Sequence, residues 1–313
     1  MRKPVIGGIV PAVVTPMNAD QSLDEGGLRR LIDHLIGHGV HGIFTVGTAG
    51  EFWALSAFEK RQIFDWTVDH VAGRVPVYLG TCASTTQEVV ELSRQAQAAG
   101  ADVLSVLTPL FIAPSEEEMY RHYRSIADAV DLPVLLYTNP DRTGNDLSPA
   151  LVERLSQVPH IAGIKDSSGN MSQTAEYLRR TPGDFRVLMG RDTLIYAALA
   201  HGAAGAIAAS ANLVPDLVVG IYEQFVAGDR QAAMTCQQRL APVRNAFALG
   251  TFPALLKDGL QLLGLPVGPP RDPVGHLTPT ELQALHRTLL EAGCSVAPTL
   301  DPGAPAGGPL LGV

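Results

Sequence analysis

Residues 103–137, VLSVLTPLFIAPSEEEMYRHYRSIADAVDLPVLLY, contain one complete copy of the pattern on which the fold of this chain is built. Val103–Leu107 and Pro133–Tyr137 are short runs that are apolar on both faces, as buried parallel strands are. Between them, Ser115 is a typical helix cap, and glutamates follow it in the first helical turn, where the helix dipole favours acids. The stretch therefore predicts a strand, a helix over 116–130 and a second strand parallel to the first.

The same alternation of strand and helix runs along most of the chain. The predicted strands are Ile6–Thr15, Gly42–Val46, Val75–Gly80, Val103–Leu107, Pro133–Tyr137, Ile161–Lys165, Arg186–Met189 and Gly205–Ala209. The predicted helices lie near Asp24–His38, Ala57–Ala72, Thr86–Ala99, Glu116–Val130, Pro149–Gln157, Met171–Arg180, Leu194–His201 and Pro215–Gly228. Eight such repeats are typical of a (β/α)8 TIM barrel, which usually has about 250 residues.

A doubly wound open sheet is the alternative α/β fold. It normally has fewer strands and a glycine-rich phosphate loop after the first of them. Here the first predicted strand ends in Val14-Thr15-Pro16, with no such loop, so the pattern favours the barrel.

The signals for strands stop after Gly228. The segments Asp229–Leu249, Phe252–Leu263 and Pro279–Ala292 are predicted to be helical. We therefore expect a barrel over 1–228 and a small C-terminal helical appendage over 229–296. The remaining residues, 297–313, are rich in proline, glycine and alanine, which predicts a disordered tail.

The bulk composition excludes several classes of function. The chain has 313 residues, 46% of them hydrophobic, and a formal net charge of −8 with no basic run, which argues against a nucleic-acid binder. Its three cysteines include no C-x-x-C pair, so neither a disulfide framework nor a zinc site is expected. No apolar run is long enough to span a bilayer and no signal peptide is evident, so we expect a cytoplasmic protein without a membrane partner.

Catalytic groups of a TIM barrel lie at the carboxyl ends of its strands. After the second predicted strand, the loop 47–51 (GTAGE) is either an ordinary turn or a set of backbone N–H groups that converge on a carboxylate. At the end of the fifth, Tyr137 is either a proton donor or acceptor in the mouth of the barrel or a packed core residue. Arg142, just beyond it, is either a carboxylate clamp or a surface residue.

The sixth predicted strand is the most informative, because the apolar run Ile161–Ile164 leads directly to Lys165. Burial disfavours the charged form of a lysine, and a neutral amine adds to a ketone to give an iminium. That iminium draws electrons from the adjacent carbon–carbon bond. The alternative interpretation is a lysine whose stem is buried and whose head reaches solvent.

Three motifs occur at three strand ends: GTAGE at 47–51, YTNPDRTG at 137–144 and GIKDSSG at 163–169. Together with IVPAVVTPM, GTCASTT, LTPLFIAPS and GAIAASAN, they closely resemble the dihydrodipicolinate synthase/N-acetylneuraminate lyase family, over a span from Gly7 to Gly293. The resemblance implies a pyruvate-dependent class I aldolase that acts on a small keto acid and an aldehyde. It also implies a homotetramer that needs no metal or organic cofactor.

The resemblance also implies roles for individual residues. Lys165 matches the Schiff-base lysine, Tyr137 the tyrosine that moves protons at the substrate, and Thr48 the threonine that hydrogen-bonds this tyrosine. The family holds the carboxylate of the keto acid on backbone N–H groups of the loop that contains Thr48 and Ala49. Two further matching residues, Gly190 and Ile207, are expected to line the pocket.

Two positions depart from the synthase pattern. Ala49 stands where synthases have a second threonine, and Leu110-Phe111 stands where they have two tyrosines, the second of which reaches across a subunit interface. Phe111 fills that space but cannot pass a proton. Arg142 instead matches the arginine with which synthases bind the carboxylate of aspartate semialdehyde.

These departures leave three hypotheses. The first is an aldolase or lyase that acts on a 2-keto-3-deoxy sugar acid or a related 4-hydroxy-2-oxo acid, as the KDSSG form of the motif at 165–169 indicates. The second is 4-hydroxy-tetrahydrodipicolinate synthase, which joins pyruvate to aspartate semialdehyde. The third, from another class, is a non-catalytic homologue that binds a keto acid.

Overall fold

The computed structural model describes residues 5–296, so the predicted tail at 297–313 lies outside the described residues. The strands are β1 (Gly8–Pro11), β2 (Ile43–Thr45), β3 (Val77–Gly80), β4 (Val103–Leu107), β5 (Val134–Thr138), β6 (Ile161–Asp166), β7 (Arg186–Met189) and β8 (Gly205–Ala208). The helices are α1 (Glu25–Gly37), α2 (Ala57–Val71), α3 (Thr86–Ala99), α4 (Glu116–Ala127), α5 (Pro140–Thr143), α6 (Pro149–Leu155), α7 (Met171–Arg180), α8 (Ile195–Ala200), α9 (Pro215–Val226), α10 (Arg230–Asn245), α11 (Ala254–Leu262) and α12 (Pro279–Glu291).

All eight strands run parallel in one sheet, in the order β1-β8-β7-β6-β5-β4-β3-β2. The two ends of this order meet where Ala12 bridges Phe44, and the N–H of Val13 donates to the carbonyl of Phe44 at 2.9 Å. The predicted (β/α)8 barrel is thereby confirmed, and the carboxyl ends of all the strands open at one mouth.

The first strand is shorter than the prediction of Ile6–Thr15. Beyond Pro11 the chain leaves the strand, and the N–H of Val14 donates instead to the side-chain oxygen of Asn212, at 3.3 Å. Asn212 in turn donates to the carbonyl of Ala12 at 2.8 Å. A side chain after β8 thus satisfies the backbone that a longer strand would have paired, which local sequence does not reveal.

Capping residues set the starts of several outer helices. The predicted cap at Ser115 is confirmed: its hydroxyl accepts from the N–H of Glu118, whose carboxylate accepts in return from the N–H of Ser115. One turn of helix, α5, stands where a loop was expected. It begins at Pro140, whose fixed φ suits the first helical position, and ends at Gly144 with φ +73°.

Helices α10 to α12 follow the barrel, and the boundary at residue 228 between the two parts stays a prediction. The chain after α11 returns to the barrel, where the N–H of Met17 donates to Val267 O at 2.9 Å. The N–H of Arg271 donates to a carboxylate oxygen of Glu51 at 2.8 Å. The C-terminal part therefore contacts the loop after β2. No helix within 5–296 combines the length and apolar character needed to cross a membrane.

Candidate active site

Lys165 lies near the end of β6, with only 4% of the residue exposed. Its Nζ lies 4.0 Å from the ring centre of Tyr137 and 5.1 Å from that of Phe44. No carboxylate between residues 5 and 296 forms an ion pair with this amine. The strand thus places the amine among aromatic rings, which agrees with the first of the two interpretations that the sequence left open.

Tyr137 lies beside Lys165 because the two residues are register partners on β5 and β6. The Tyr137 hydroxyl is 3.2 Å from the hydroxyl of Thr48, which arrives from the loop after β2. Asn139 Nδ2 donates to the same phenolic oxygen at 3.1 Å. Residues from the ends of three strands, β2, β5 and β6, therefore meet around the hydroxyl of Tyr137 and the amine of Lys165.

These neighbours change the acidity of the phenol. Burial alone would raise the pKa of Tyr137, but the positive charge of Lys165 and hydrogen bonds from Thr48, Asn139 and Ser167 outweigh burial and hold that pKa below its ordinary value. A phenol of lowered pKa gives up and regains a proton more readily, which suits it to general acid–base work.

The loop after β2 has an unusual backbone. Val46 and Glu51, at its two ends, have φ of 56° and 57°, and a Cβ on Gly80 would lie 2.2 Å from the Val46 carbonyl oxygen. The N–H groups of Thr48 and Ala49 donate to no acceptor among residues 5–296. Two unused donors at a pocket wall form a concavity suited to an anion.

Gly190 and Ile207, one small and one apolar, line the cavity beside Lys165. A Cβ on Gly190 would lie 2.0 Å from Ser167 Oγ and 3.2 Å from Lys165 Cε, so only glycine fits between them. Ile207, 1% exposed, comes from β8.

A cavity of about 500 Å³ opens above the amine. Seven of the eight predicted site residues line it together: Thr48, Ala49, Tyr137, Arg142, Lys165, Gly190 and Ile207. Phe111 is the exception, since it is 98% exposed at φ +75° on the loop before α4 and does not line the cavity of this single chain. Its expected place across a subunit interface, and the homotetramer itself, stay predictions.

The cavity also contains residues that were not predicted. These are Ala12, Asn139, Asp141, Ser167, Arg191, Asp192, Ala209, Arg244, Asn245, Phe247, Ala248 and Phe252. Asn139 and Ser167 lie inside motifs already singled out, and Arg191 and Asp192 follow β7 at the mouth, so strand-end reasoning could have found them. The group at 244–252 follows no strand, and no sequence signal indicated that α10 would deliver it to the mouth.

A buried lysine and a tyrosine side by side in the mouth of a (β/α)8 barrel define the class of Schiff-base aldolases. The sequence model of the dihydrodipicolinate synthetase family matches residues 5–292, and the chain belongs to this family. It is therefore an enzyme of the carbon–carbon lyase type. No group of three or more His, Cys, Asp or Glu side chains within 5–296 is arranged to hold a metal ion.

The chain is similar to curated 4-hydroxy-tetrahydrodipicolinate synthases. That of Methanoculleus marisnigri is 38% identical over 91% of this chain and 99% of its own length. That of Symbiobacterium thermophilum is 39% identical over 93% and 99%, respectively. Among solved structures, the prophage protein YagE of E. coli K12, of the dihydrodipicolinic acid synthase family and in complex with pyruvate, has 36% identity and a TM-score of 0.91, covering 93% of this chain and 100% of its own.

Proposed function

We propose that this enzyme joins pyruvate to aspartate semialdehyde through a Schiff base on Lys165, which is the 4-hydroxy-tetrahydrodipicolinate synthase reaction. The observation that carries the proposal is the buried amine of Lys165 beside the hydroxyl pair of Tyr137 and Thr48, 3.2 Å apart. The curated relatives at 36–39% identity support this acceptor better than a sugar acid.

The chemistry begins when Lys165 Nζ, having given up its proton, attacks the C2 carbonyl of pyruvate to form a carbinolamine. Water leaves as the iminium forms, and the loss of a C3 proton gives an enamine. Tyr137 supplies the proton that departs with the hydroxyl group and accepts one in the following step. Thr48 holds the phenolic oxygen at a fixed distance during both transfers.

The enamine carbon then attacks the aldehyde, whose oxygen takes a proton to become the 4-hydroxyl. The amino group of the acceptor adds to the iminium carbon and displaces Lys165, which closes the ring and frees the enzyme. One water is released over the whole sequence, and no electrons are gained or lost. Apart from the bonds made and broken at Lys165 and within the product, the reaction thus needs only proton transfers, which a lysine and a tyrosine supply.

Binding of the keto acid follows from the loop after β2. We infer that the unused N–H groups of Thr48 and Ala49 donate hydrogen bonds to the carboxylate of pyruvate. Backbone N–H groups can do this whatever side chain the residue carries. Ala49 therefore keeps this function without a hydroxyl. We infer that Arg142, which also lines the cavity, binds the carboxylate of the acceptor.

A second candidate function is cleavage of a 2-keto-3-deoxy sugar acid. The observation that favours it is the lack of two hydroxyl groups of the synthase pattern, at Ala49 and at the exposed Phe111. Such a lyase uses the same Schiff base in the reverse direction. The two candidates differ only in what the outer cavity binds.

Trapping tests the Schiff base that both candidates share. Borohydride added with pyruvate reduces the iminium to a stable amine, and peptide mass spectrometry then locates the adduct. We expect it on Lys165 and none in Lys165→Ala. Lys60→Met is the matched control, because Lys60 is also buried but donates to Cys82 O at 3.1 Å, outside the cavity, and its loss must leave the adduct intact.

Turnover separates the two candidates. Pyruvate with aspartate semialdehyde should yield the cyclic product at a rate well above background, while cleavage of a 2-keto-3-deoxy sugar acid stays slow. The opposite pattern, in an enzyme that forms the adduct, would replace the synthase assignment with the lyase. A protein that forms no adduct would contradict both.

A further inference from the structure

The charge of the cavity has the opposite sign to that of the chain. The protein carries a formal net charge of −8. The cavity is lined by four basic residues, Arg142, Lys165, Arg191 and Arg244, and by two acidic ones, Asp141 and Asp192. An excess of positive charge in a concave site favours an anionic ligand.

The two acids are already engaged. Asp141 forms an ion pair with Arg191 at 3.0 Å. Asp192, which is 1% exposed, accepts from the N–H of Ser210 at 2.7 Å. The guanidinium groups of Arg142 and Arg244 form no ion pair or hydrogen bond with any residue between 5 and 296.

Aromatic rings hold these two guanidinium groups in place. Arg244 Cζ lies 4.5 Å from the ring centre of Phe247, and Arg142 Cζ lies 5.3 Å from that of Phe252. The two rings are themselves 5.8 Å apart. A guanidinium stacked on a ring keeps its N–H groups, which lie at its edge, free for an oxyanion.

Arg244 bears an electrostatic cost in this position. Burial lowers the pKa of Arg244; Asp192 opposes this effect, and the positive charges of Arg191 and Arg142 add to it. A cation that is partly desolvated, close to like charges and free of a paired acid is stabilised when an anion binds. An arginine that had only to cover surface would not need such a position.

We propose that Arg244 is a specificity-determining residue, which binds with Arg142 an oxyanion at the end of the acceptor remote from the aldehyde. The class of acceptor is a short aldehyde that ends in a carboxylate or phosphate, preferred over a neutral polyol aldehyde. The inference deepens the proposed function, on which its account of the acceptor rests. It adds a residue of the C-terminal helix α10 to a site otherwise built from strand ends.

Binding to the reduced pyruvate adduct isolates this outer site, because the inner site is then occupied. Succinate, a dicarboxylate that cannot react, is titrated by calorimetry, with succinamide as the uncharged control and inorganic phosphate as a second oxyanion. Arg244→Gln should weaken succinate binding about 10- to 100-fold, the usual effect of losing a hydrogen bond to a charged group. The relative affinities for succinate and phosphate show which oxyanion fits.

Arg230→Gln is the matched control. Arg230 lies on the same helix and is also stacked on a ring, 3.4 Å from the centre of Phe225, but it does not line the cavity. Its loss should leave succinate affinity unchanged. Wild-type affinity in Arg244→Gln, or an equal loss in Arg230→Gln, would overturn the proposal.

Kinetic measurements distinguish a role of Arg244 in specificity from a merely structural role. In Arg244→Gln, kcat/KM for aspartate semialdehyde should fall about 10- to 100-fold, while the rate of pyruvate adduct formation and kcat/KM for glyceraldehyde stay unchanged. An equal loss for the neutral aldehyde would contradict the proposal. If no adduct forms at all, the proposed function fails. Succinate titrations of unmodified wild type, Arg244→Gln and Arg230→Gln then still decide the role of Arg244, because the inner site is the same in all three.

Discussion

Glu51 and Lys257 form an ion pair at 2.7 Å in which both side chains are fully buried. The pair joins the loop that carries Thr48 and Ala49 to α11, and Lys257 Nζ also donates to Pro269 O at 2.7 Å. Burial lowers the pKa of Lys257, and Glu51 opposes that effect. The C-terminal helices therefore hold the end of the loop after β2 through charges that are buried away from water.

Lys257→Met should lower the free energy of unfolding by about 3–5 kcal/mol, because it leaves the carboxylate of Glu51 buried without a counter-ion. Urea denaturation measures the change. Arg61→Met is the control, since it breaks only the exposed Arg61–Asp65 pair within α2 and should cost no more than about 0.5 kcal/mol. The double variant Glu51→Gln/Lys257→Met should recover part of the loss, and a loss as small as that of the control would show that the pair is not buried.

Tyr137→Phe should keep the fold and lower kcat by about 10²- to 10⁴-fold, the usual contribution of a general acid–base group. The adduct with pyruvate should still be trapped, but more slowly, since Lys165 is intact. Rapid-quench borohydride trapping measures the rate. An unchanged rate would remove Tyr137 from the proton transfers.

The pH profile reports the hydrogen bond between Thr48 and Tyr137. That bond favours the phenolate and helps to keep the pKa of Tyr137 below its ordinary value of 10. Activity that needs the protonated phenol should therefore decline at a pH below the pKa of a free phenol. Thr48→Val removes the bond, so the pKa rises and the alkaline limb of kcat/KM should move to higher pH. A limb that stays in place or moves down would contradict this assignment.

Gly190→Ala should block the site without unfolding the protein. The new Cβ would lie 2.0 Å from Ser167 Oγ and 3.2 Å from Lys165 Cε, so the Ser167 hydroxyl must move and the end of the Lys165 side chain must give by a few tenths of an ångström. We expect at least a tenfold slower adduct formation with a near-native melting temperature, because a displacement of about 1 Å at a catalytic group can cost 10²-fold. Gly183→Ala is the control, since a Cβ there meets nothing within 4 Å, and it should react at the wild-type rate.

Acid stability should depend on the Glu59–Arg271 pair, whose atoms are 2.8 Å apart with side chains 21% and 18% exposed. Burial would raise the pKa of Glu59, but hydrogen bonds from Arg271 and Ser56 outweigh it and lower the pKa from its usual 4.5. The ionised carboxylate thus stabilises the fold above about pH 4.5, and this stability is lost as the pH falls through the lower folded value.

Glu59→Gln should cost about 1–3 kcal/mol at neutral pH and flatten the acid limb of the unfolding free energy. Urea titrations from pH 7 to 3 measure both effects. Parallel acid limbs in the variant and the wild type would show that another carboxylate is responsible.

The sequence by itself determined the barrel and the inner site. Alternating apolar strands and amphipathic helices are local patterns, and parallel strands in a barrel place their carboxyl ends at one mouth. Tyr137 and Lys165 lie at the ends of two predicted strands and Thr48 follows a third, so topology alone brings them together. The family motifs then favoured a nucleophilic lysine over a solvated one.

Only the tertiary structure decided what surrounds that inner site. Lys257 pairs with Glu51, and Arg244 lies over the ring of Phe247 at the cavity. Both contacts depend on how α10 and α11 pack against the barrel, which no short-range sequence pattern encodes. The exposure of Phe111 likewise appears only once the loop before α4 is placed. Such long-range contacts depend on the packing of whole helices and on desolvation at their ends, whereas strand-end convergence depends only on the order of the elements.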